Sequence, residues 1–218
     1  MFKNINITKN TETIIPIYFI EKYENIKNVI HDYKFKNIFN INTKIMNPLL
    51  DIIINNIIDI FKYRDIYQIQ NKINIVFTHP PSTMFYKKEK NIDSVNFLLK
   101  NAHKILYSYF KHDSKNIKIY FKSIININSK YIKGQNAQHF QNRKNRLFNI
   151  ENKYYINIFN KMFINKICKP KNVFTIIYII DDISSTGSTL FSCHKQIKDF
   201  MEEKKYTNTK IFLYSLAH

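Results

Sequence analysis

Short runs of β-branched and aromatic residues alternate along this chain with segments in which apolar residues recur at helical spacing. The runs predict strands, and the periodic segments predict amphipathic helices. The predicted strands cover 14–20, 73–77, 117–121, 173–180 and 210–216. The run 173–180 (Val-Phe-Thr-Ile-Ile-Tyr-Ile-Ile) is almost continuously apolar. Such a run is typical of a central strand that is covered on both faces.

Helices are predicted over 24–33, from Asn47-Pro48 to 61, after Asp93, over 154–167 and over 189–201. Proline at a first helical position and aspartate at an N-cap are common helix starts. The face of the helix after Pro48 comprises Leu49, Leu50, Ile53, Ile57, Ile58 and Phe61. The predicted buried stripe of the helix after Asp93 comprises Val95, Leu98, Leu99, Ala102, Ile105, Leu106 and Tyr109.

Strands that alternate with helices predict an α/β fold with a doubly wound, mostly parallel sheet. The 218 residues suffice for one compact domain, and neither an internal repeat nor a clear linker divides them. The polar, aperiodic stretch 126–149 is long for a connection within a compact domain. It is therefore either functional or disordered.

The composition is strongly basic, with a formal net charge of +18. Such a charge indicates a polyanionic partner, although a coding bias toward Lys, Asn and Ile would also raise it. Cys168 and Cys193 have no metal-site spacing, so reduced thiols are expected. The first residues lack the apolar core of a signal peptide, and the most apolar helix is too polar to span a bilayer. A cytoplasmic protein without membrane insertion is the expectation.

One segment carries specific chemistry. The predicted strand 173–180 runs into Asp181-Asp182 and then into a loop of small hydroxyl residues, Ile-Ser-Ser-Thr-Gly-Ser-Thr, over 183–189. In a doubly wound sheet, ligands bind at the carboxyl ends of strands. Backbone N–H groups at a helix start can hold a phosphate, and Gly187 permits close approach or a positive φ. Ordinary helix capping is the alternative explanation for these residues.

This segment resembles the phosphoribosyl diphosphate (PRPP) motif of type I phosphoribosyltransferases. The resemblance implies that Asp181 and Asp182 are the catalytic acids. They would contact the ribose hydroxyls or, as the less favoured alternative, act as a general base toward the acceptor. The residues implied to bind the 5′-phosphate are Ser185, Thr186, Gly187, Ser188 and Thr189.

Weaker features over 14–218 resemble one branch, the ComF (competence protein F/GntX) family. They include the helix-like stretch 23–35, which contains Ile-His-Asp-Tyr-Lys-Phe, and the ending Tyr-Ser-Leu-Ala-His. They also include a proline-containing strand exit followed by a basic stretch, which the resemblance links to pyrophosphate binding. The implied pyrophosphate ligands are Pro81, Ser82, Thr83, Lys87, Lys88 and Lys90. A solvated basic surface would also explain the lysines. The implied flexible loop contains Gln135, Arg143, Lys144, Asn145 and Arg146.

The resemblance implies a hood over 1–72 that faces the acceptor, and a phosphoribosyltransferase core over 73–218. It further implies that PRPP is bound with substrate-borne Mg²⁺ and that the phosphoribosyl group is transferred to an unknown acceptor, in a competence or DNA-uptake context. Many family members carry an N-terminal four-cysteine zinc module. No cysteine precedes Cys168 here, so no zinc is expected.

The alternative is a non-catalytic competence factor that binds PRPP or a nucleotide, together with single-stranded DNA or proteins of the competence machinery. Base stacking by Tyr107, Tyr109 and Phe110 would suit it, although such residues at helical spacing are more often in the core. A chain that retains only the fold is a third reading, which the intact acids and Thr-Gly loop disfavour. The oligomeric state is left open, with a homodimer as one option.

Overall fold

A computed structural model describes the parts of the chain that form the sheet and its flanking helices. The described residues are 4–7, 15–22, 24–25, 27–28, 43–62, 72–81, 94–113, 116–128, 153–170, 172–184 and 186–217. The strands are β1 (Asn4–Ile7), β2 (Ile15–Glu21), β3 (Lys72–Thr78), β4 (Ile117–Phe121), β5 (Asn126–Ile127), β6 (Tyr154–Tyr155), β7 (Val173–Ile183) and β8 (Thr209–Ala217).

Helical segments connect the strands. The helices are α1 (Thr43–Lys62), α2 (Ser94–Tyr109), α3 (Ile158–Cys168) and α4 (Ser188–Glu203), with a 3₁₀ turn at Lys111–Asp113. The described residues 24, 25, 27 and 28 are helical as well. The remainder of the helix predicted over 24–33 lies outside the described residues.

Six of the strands in the described residues form one sheet in the order β1-β2-β8-β7-β3-β4. Every neighbouring pair is parallel except β1 and β2, which are antiparallel. The chain leaves β3 toward β4 on one side and leaves β7 toward β8 on the other. The direction of winding therefore reverses between β3 and β7, and the predicted mostly parallel α/β sheet is confirmed.

Two apolar layers cover the sheet, one on each face. The first layer packs α1 and α2 against alternate residues of β3 and β7, among them Ile176 and Tyr178. The second packs α3 and α4 against the intervening residues, including Ile177 and Ile179. Residues 174–180 are each at most 5% exposed, as predicted for a strand buried on both faces.

The start predicted for the first long helix is wrong. Helix α1 begins at Thr43, and Pro48 lies inside it. Proline removes one backbone hydrogen bond from a helix interior, so its presence led to a predicted start at 47–48. The buried stripe nevertheless extends upstream, because Met46 lies one turn before Leu49 and Leu50 and is buried with them. That burial favours the longer helix.

The prediction for residues 154–167 is wrong at its beginning. Tyr154 and Tyr155 form β6, which pairs with β5 as a two-stranded antiparallel ribbon. Helix α3 starts only at Ile158, because the side chain of Asn157 caps it and accepts a hydrogen bond from the Asn160 amide at 2.8 Å. The polar stretch predicted over 126–149 likewise begins with a strand, β5.

The predicted helix faces are only partly buried. On α2, Val95, Leu98, Leu99, Ala102 and Leu106 are in the core, whereas Ile105 and Tyr109 are exposed. On α1, Ile58 is exposed, and the side chain of Phe61 lies outside the described residues. The face that each helix buries against the sheet is therefore narrower than the apolar positions of its sequence suggest.

Helix α4 buries an ionisable side chain, His194, in addition to its apolar face. Burial and the nearby Lys198 ammonium lower the pKa of His194 to about 4, and Glu202 opposes this effect. The fold therefore favours the neutral imidazole. Its stabilising contribution is present above the usual pKa of 6.5 and is lost as the pH falls toward 4.

We expect the wild-type protein to lose stability between about pH 7 and about pH 4 partly through His194. His194→Gln removes the titrating group and should reduce the loss of unfolding free energy over this pH range by up to about 3 kcal/mol. Urea unfolding of both proteins across this range measures the difference. Equal losses of unfolding free energy in the two proteins would contradict the assignment to His194.

Candidate functional site

Two strand exits meet where the winding of the sheet reverses. Strand β3 pairs with β7 as far as Thr78, which lies opposite Ile179. Strand β7 continues to Ile183 beside β8, with Asp181 opposite Ser215. The loop after β3 and the acids of β7 therefore share one edge of the sheet. In doubly wound sheets this position forms the ligand-binding crevice.

Asp181 and Asp182 lie at the boundary of the core. Both are half-buried, unlike the fully enclosed residues that precede them in β7. The Asp181 carboxylate accepts a hydrogen bond from the Asp182 amide at 2.9 Å, and the Asp182 carboxylate accepts one from the Ile183 amide at 2.7 Å. These bonds orient the two acids. A carboxylate can accept several hydrogen bonds at once, so this arrangement is compatible with binding sugar hydroxyls as well.

The turn that follows requires its glycine. Gly187 has φ 67° and ψ −2°, in the left-handed region, and lies at the N-cap of α4 without a side-chain cap. Its carbonyl accepts the first helical hydrogen bond, from the Phe191 amide at 2.8 Å. The hydroxyl oxygens of Thr186 and Ser188 are 2.8 Å apart at the start of the helix. Backbone amides and hydroxyls are thus gathered at the positive end of α4.

The base of this turn is anchored to the sheet. The amide of Ser184 donates to the Ala217 carbonyl at the end of β8, at 3.0 Å, and Ser184 is buried. Thr186, by contrast, is exposed. Ser185, another predicted phosphate ligand, lies outside the described residues. Among the predicted phosphate ligands, the structure therefore groups Thr186, Gly187, Ser188 and Thr189 at one helix start.

The exit of β3 is held rigidly. His79 is buried, its Nδ1 is 2.9 Å from the Pro80 carbonyl oxygen, and its ring stacks on Phe121 with centroids 6.3 Å apart. The Thr78 hydroxyl accepts a hydrogen bond from the Ile124 amide at 3.3 Å. These contacts fix the loop that leads to Pro81 against the end of β4. His79 thus has the structural role that is usual for a buried histidine.

Most of the remaining predicted site residues lie outside the described part of the chain. Pro81 is half-buried after the β3 exit. The other predicted pyrophosphate ligands, Ser82, Thr83, Lys87, Lys88 and Lys90, lie outside the described residues, and so do the predicted loop residues Gln135, Arg143, Lys144, Asn145 and Arg146. Their assignments stay predictions.

The ribbon of β5 and β6 contributes two residues to this region that sequence reasoning missed. Tyr154 is buried in the apolar layer to which α4 belongs, and burial raises the pKa of its hydroxyl. Lys153 is also buried, and burial lowers the pKa of its ammonium group. The short run of Tyr154, Tyr155 and Ile156 is a weak strand signal, and nothing in the sequence indicates that Lys153 is buried.

The two cysteines are both free and buried. Burial raises the pKa of the Cys168 thiol and raises that of Cys193 well above its ordinary value, with the nearby Asp181 charge adding to the effect at Cys193. Thiols in such surroundings stay protonated and react slowly. Neither cysteine therefore has the environment of a nucleophile.

Within the described residues, no three His, Cys, Asp or Glu side chains lie close enough together to bind a metal ion. Magnesium that arrives on substrate phosphates does not require such a set. None of the described helices combines the length and the apolar character needed to cross a membrane.

No protein-family model and no curated protein matches this chain. The likeness to the ComF family therefore rests on the sequence motifs quoted above. The acids, the glycine turn and the β3 exit are the features of the molecule that bear on its function.

Gly187→Ala should destabilise the protein by about 1–2 kcal/mol, because a Cβ atom disfavours the left-handed conformation at this residue. Gly187→Asn is the matched control and should cost less, since asparagine tolerates that conformation better than alanine does. Urea unfolding of the three proteins checks the order. If Gly187→Ala lowered the unfolding free energy no more than Gly187→Asn does, the left-handed backbone at residue 187 would not be the cause of the destabilisation.

Proposed function

We propose that this protein binds PRPP together with Mg²⁺ and transfers the phosphoribosyl group to an acceptor, as expected of a type I phosphoribosyltransferase-like fold. One observation carries the proposal: Asp181, Asp182 and the Gly187 turn lie together at the carboxyl edge of the sheet, where its winding reverses, beside the exit of β3. Each part of PRPP finds a chemically suitable neighbour there.

The 5′-phosphate would bind at the start of α4. Backbone N–H groups at a helix N-terminus and the helix dipole both favour an anion there. Thr186 and Ser188 add hydroxyl groups at the same place, and the positive φ of Gly187 turns the chain into the helix without a Cβ atom in the way.

The ribose would bind beside the two acids. Vicinal hydroxyls donate well to carboxylates, and hydrogen bonds to a charged acceptor are stronger than neutral ones. Asp181 and Asp182 lie near the end of β7, and Asp182 is five residues before Gly187, so a sugar above them would be adjacent to a phosphate held at α4. The order of ribose and phosphate along PRPP matches the order of acids and turn along the chain.

The pyrophosphate would extend toward the exit of β3. Pro80 and Pro81 restrict the backbone there, and the buried His79 anchors it. Magnesium would bridge oxygens of the pyrophosphate and ribose, because this ion is commonly bound through substrate phosphates and water. The net charge of +18 makes the protein as a whole attractive to such an anion.

In the transfer, the bond from ribose C1 to pyrophosphate breaks and pyrophosphate leaves with the electron pair. A bond from C1 to the acceptor forms, and the acceptor loses a proton. Charge develops on C1 and on the leaving group as in other glycosyl transfers. Fixed dipoles and cations that face those charges supply the catalysis. Asp181 and Asp182 serve by holding the ribose or, in the alternative, by accepting the acceptor's proton.

Isothermal titration should show that the wild-type protein binds PRPP with Mg²⁺. Asp182→Asn should weaken binding by about 10- to 100-fold, because hydrogen bonds to a charged group contribute about 1.5–3 kcal/mol. Asp199→Asn is the matched control, since it makes the same charge change at an exposed residue of α4. No heat from the wild-type protein at roughly millimolar PRPP, or equal affinities for the two variants, would count against the site.

A second candidate function is binding of single-stranded DNA by a non-catalytic, nucleotide-binding competence factor. Tyr107 and Tyr109 are 56% and 61% exposed, against the expectation that they lie in the core, whereas Phe110 is buried. The ring of Tyr107 stacks on His103, whose Nε2 is 3.2 Å from the Ile119 carbonyl oxygen. An exposed aromatic ring about one helical turn from the exposed Lys104 is suited to stacking on bases. The two functions are compatible in one protein.

Tyr107→Ala should reduce the affinity for a single-stranded oligonucleotide by about tenfold if one base stacks on this ring. Phe159→Ala, which removes an exposed aromatic ring from α3, is the control and should change the affinity little. Fluorescence anisotropy across a salt series provides the measurement, and affinity should fall as salt rises. Weak binding that does not respond to salt would exclude this second function.

A further inference from the structure

Helix α3 and the strand just before it present apolar side chains to solvent. Ile158, Phe159 and Met162 are 64%, 74% and 62% exposed, and Tyr155 of β6 is 44% exposed. The three helical residues lie within about one turn of one another, and Tyr155 precedes the helix by three residues. Single exposed apolar side chains are ordinary on protein surfaces, whereas a group of them beside polar residues marks an interaction site.

The orientation of α3 keeps these side chains outside the core. On the opposite side of the helix, the buried Asn160 donates through its Nδ2 to the Ser123 carbonyl at 3.2 Å. Near the end of the helix, the Ile167 carbonyl accepts hydrogen bonds from Asn74 Nδ2 at 2.9 Å and from Thr175 Oγ1 at 3.0 Å. Rotation of the helix would leave these buried polar groups without partners, which is costly. The exposed apolar side is therefore a fixed property of the fold.

The same side of α3 becomes basic toward the end of the helix. Lys166 and Lys169 follow Met162 at i+4 and i+7, so they continue its exposed side, and both lysines are exposed. Residues 152–180 contain five lysines and no aspartate or glutamate. The exposed side of α3 is thus apolar over its first two turns and cationic in its last turn.

Two further lysines lie at the flanks of α3, where aromatic rings hold them. The Lys161 Nζ is 5.5 Å from the centroid of the Phe200 ring, and the Lys122 Nζ is 4.3 Å from that of Phe163. Both distances are within the range of a cation–π interaction. Such contacts leave the positive charge of the ammonium group uncancelled. The apolar side chains therefore have cations at one end and on both flanks.

The acids of the neighbouring helix α4 have lysines of their own. Glu202 is paired with Lys198 at 3.5 Å, and Glu203 is paired with Lys204 at 2.7 Å. These two pairs add no net charge to the surface beside α3. The lysines of α3 therefore give that surface an excess of positive charge.

An anionic lipid surface has the chemistry that fits this side of α3. Phenylalanine, isoleucine and methionine side chains can enter the boundary between head groups and acyl chains, and tyrosine is enriched at the membrane–water interface. Lysines beside them attract anionic head groups. The apolar side chains project from a helix, and a lipid surface adapts to projecting side chains, whereas a protein would have to supply a groove of matching shape.

We propose that the exposed side of α3 binds the surface of an anionic membrane. Ile158, Phe159 and Met162 enter the head-group region, and Lys166 and Lys169 contact lipid phosphates. The contact is peripheral and involves one leaflet, so it requires no membrane-spanning helix. Its evidence lies outside the acids, the glycine turn and the β3 exit, so it does not depend on the proposed function.

The sequence contains no tryptophan, so Phe159→Trp introduces a single fluorescent reporter on this side of α3. Its emission should move to shorter wavelength with vesicles of equal parts phosphatidylcholine and phosphatidylglycerol, and should not move with phosphatidylcholine vesicles. Tyr109→Trp is the matched control, because it places the reporter at an exposed aromatic residue of α2, on the other face of the sheet. The emission of the control should not change with either kind of vesicle.

Phe159→Ser should weaken binding to the mixed vesicles by about tenfold or more, because it removes a large apolar side chain from the contact. Tyr109→Ser removes an exposed ring from α2 and should leave the affinity unchanged. Co-sedimentation with the vesicles measures the affinities, and circular dichroism verifies that each variant is folded. Equal affinities of the Phe159→Ser variant and the wild-type protein would contradict the proposal.

Lys166→Gln combined with Lys169→Gln should also weaken binding by about tenfold, and binding should fall as salt rises. Lys104→Gln combined with Lys111→Gln is the matched control, because it removes the same charge from two exposed residues of other elements. Equal losses in the two double variants would mean that net charge alone brings the protein to the vesicles, and would overturn the proposal.

The emission of the Phe159→Trp variant also tests the other occupants of this surface. An emission at short wavelength before vesicles are added would show that the chain itself covers residue 159. A shift without vesicles that grows with protein concentration would identify a second copy of the chain as the occupant. An emission that the mixed vesicles leave unchanged would exclude the lipid surface and favour a protein partner. Each of these three results would overturn the proposal.

Discussion

The parallel pairing of β3 with β7 is the constraint on which the rest of the structure depends. The two strands match over seven residues, from Lys72 opposite Val173 to Thr78 opposite Ile179. Strand β3 leads to β4 on one side of the pair, and β7 leads to β8 on the other. Neither of these two connections therefore needs to cross the carboxyl ends of β3 and β7. The crevice there is a consequence of strand order. Its chemical character is then set by the residues that end each strand.

The polar groups of the site lie where the core ends. Residues 174–180 of β7 are enclosed by both apolar layers, and the next two residues are half-buried acids. An ionised carboxylate deep in such a core would be strongly destabilising, whereas at this boundary it keeps access to water or to a ligand. The chain then changes from extended to helical between Ile183, which ends β7, and Ser188, which begins α4. The left-handed glycine makes that change of direction possible.

Sequence reasoning was accurate where the signal is local. The strand of β7, its acids and the need for glycine at 187 follow from a continuous apolar run and a backbone preference. It failed where tertiary packing determines which residues form a strand or are buried. Two residues are too few for periodicity to identify β6, and Tyr109 fits a buried stripe by spacing although it is exposed. The burial of Lys153 depends on how the ribbon packs against its neighbours, which no local pattern encodes.

The same ribbon bears on the predicted loop residues. Asn128 and Lys153 are hydrogen-bonded to each other, so the 24 residues between them begin and end at the ribbon beside α4. Arg143 is ten residues from Lys153, which corresponds to a reach of roughly 30 Å even for an extended chain. The length of this chain is therefore no obstacle to the proposal that the basic residues of the segment meet a pyrophosphate at the sheet edge.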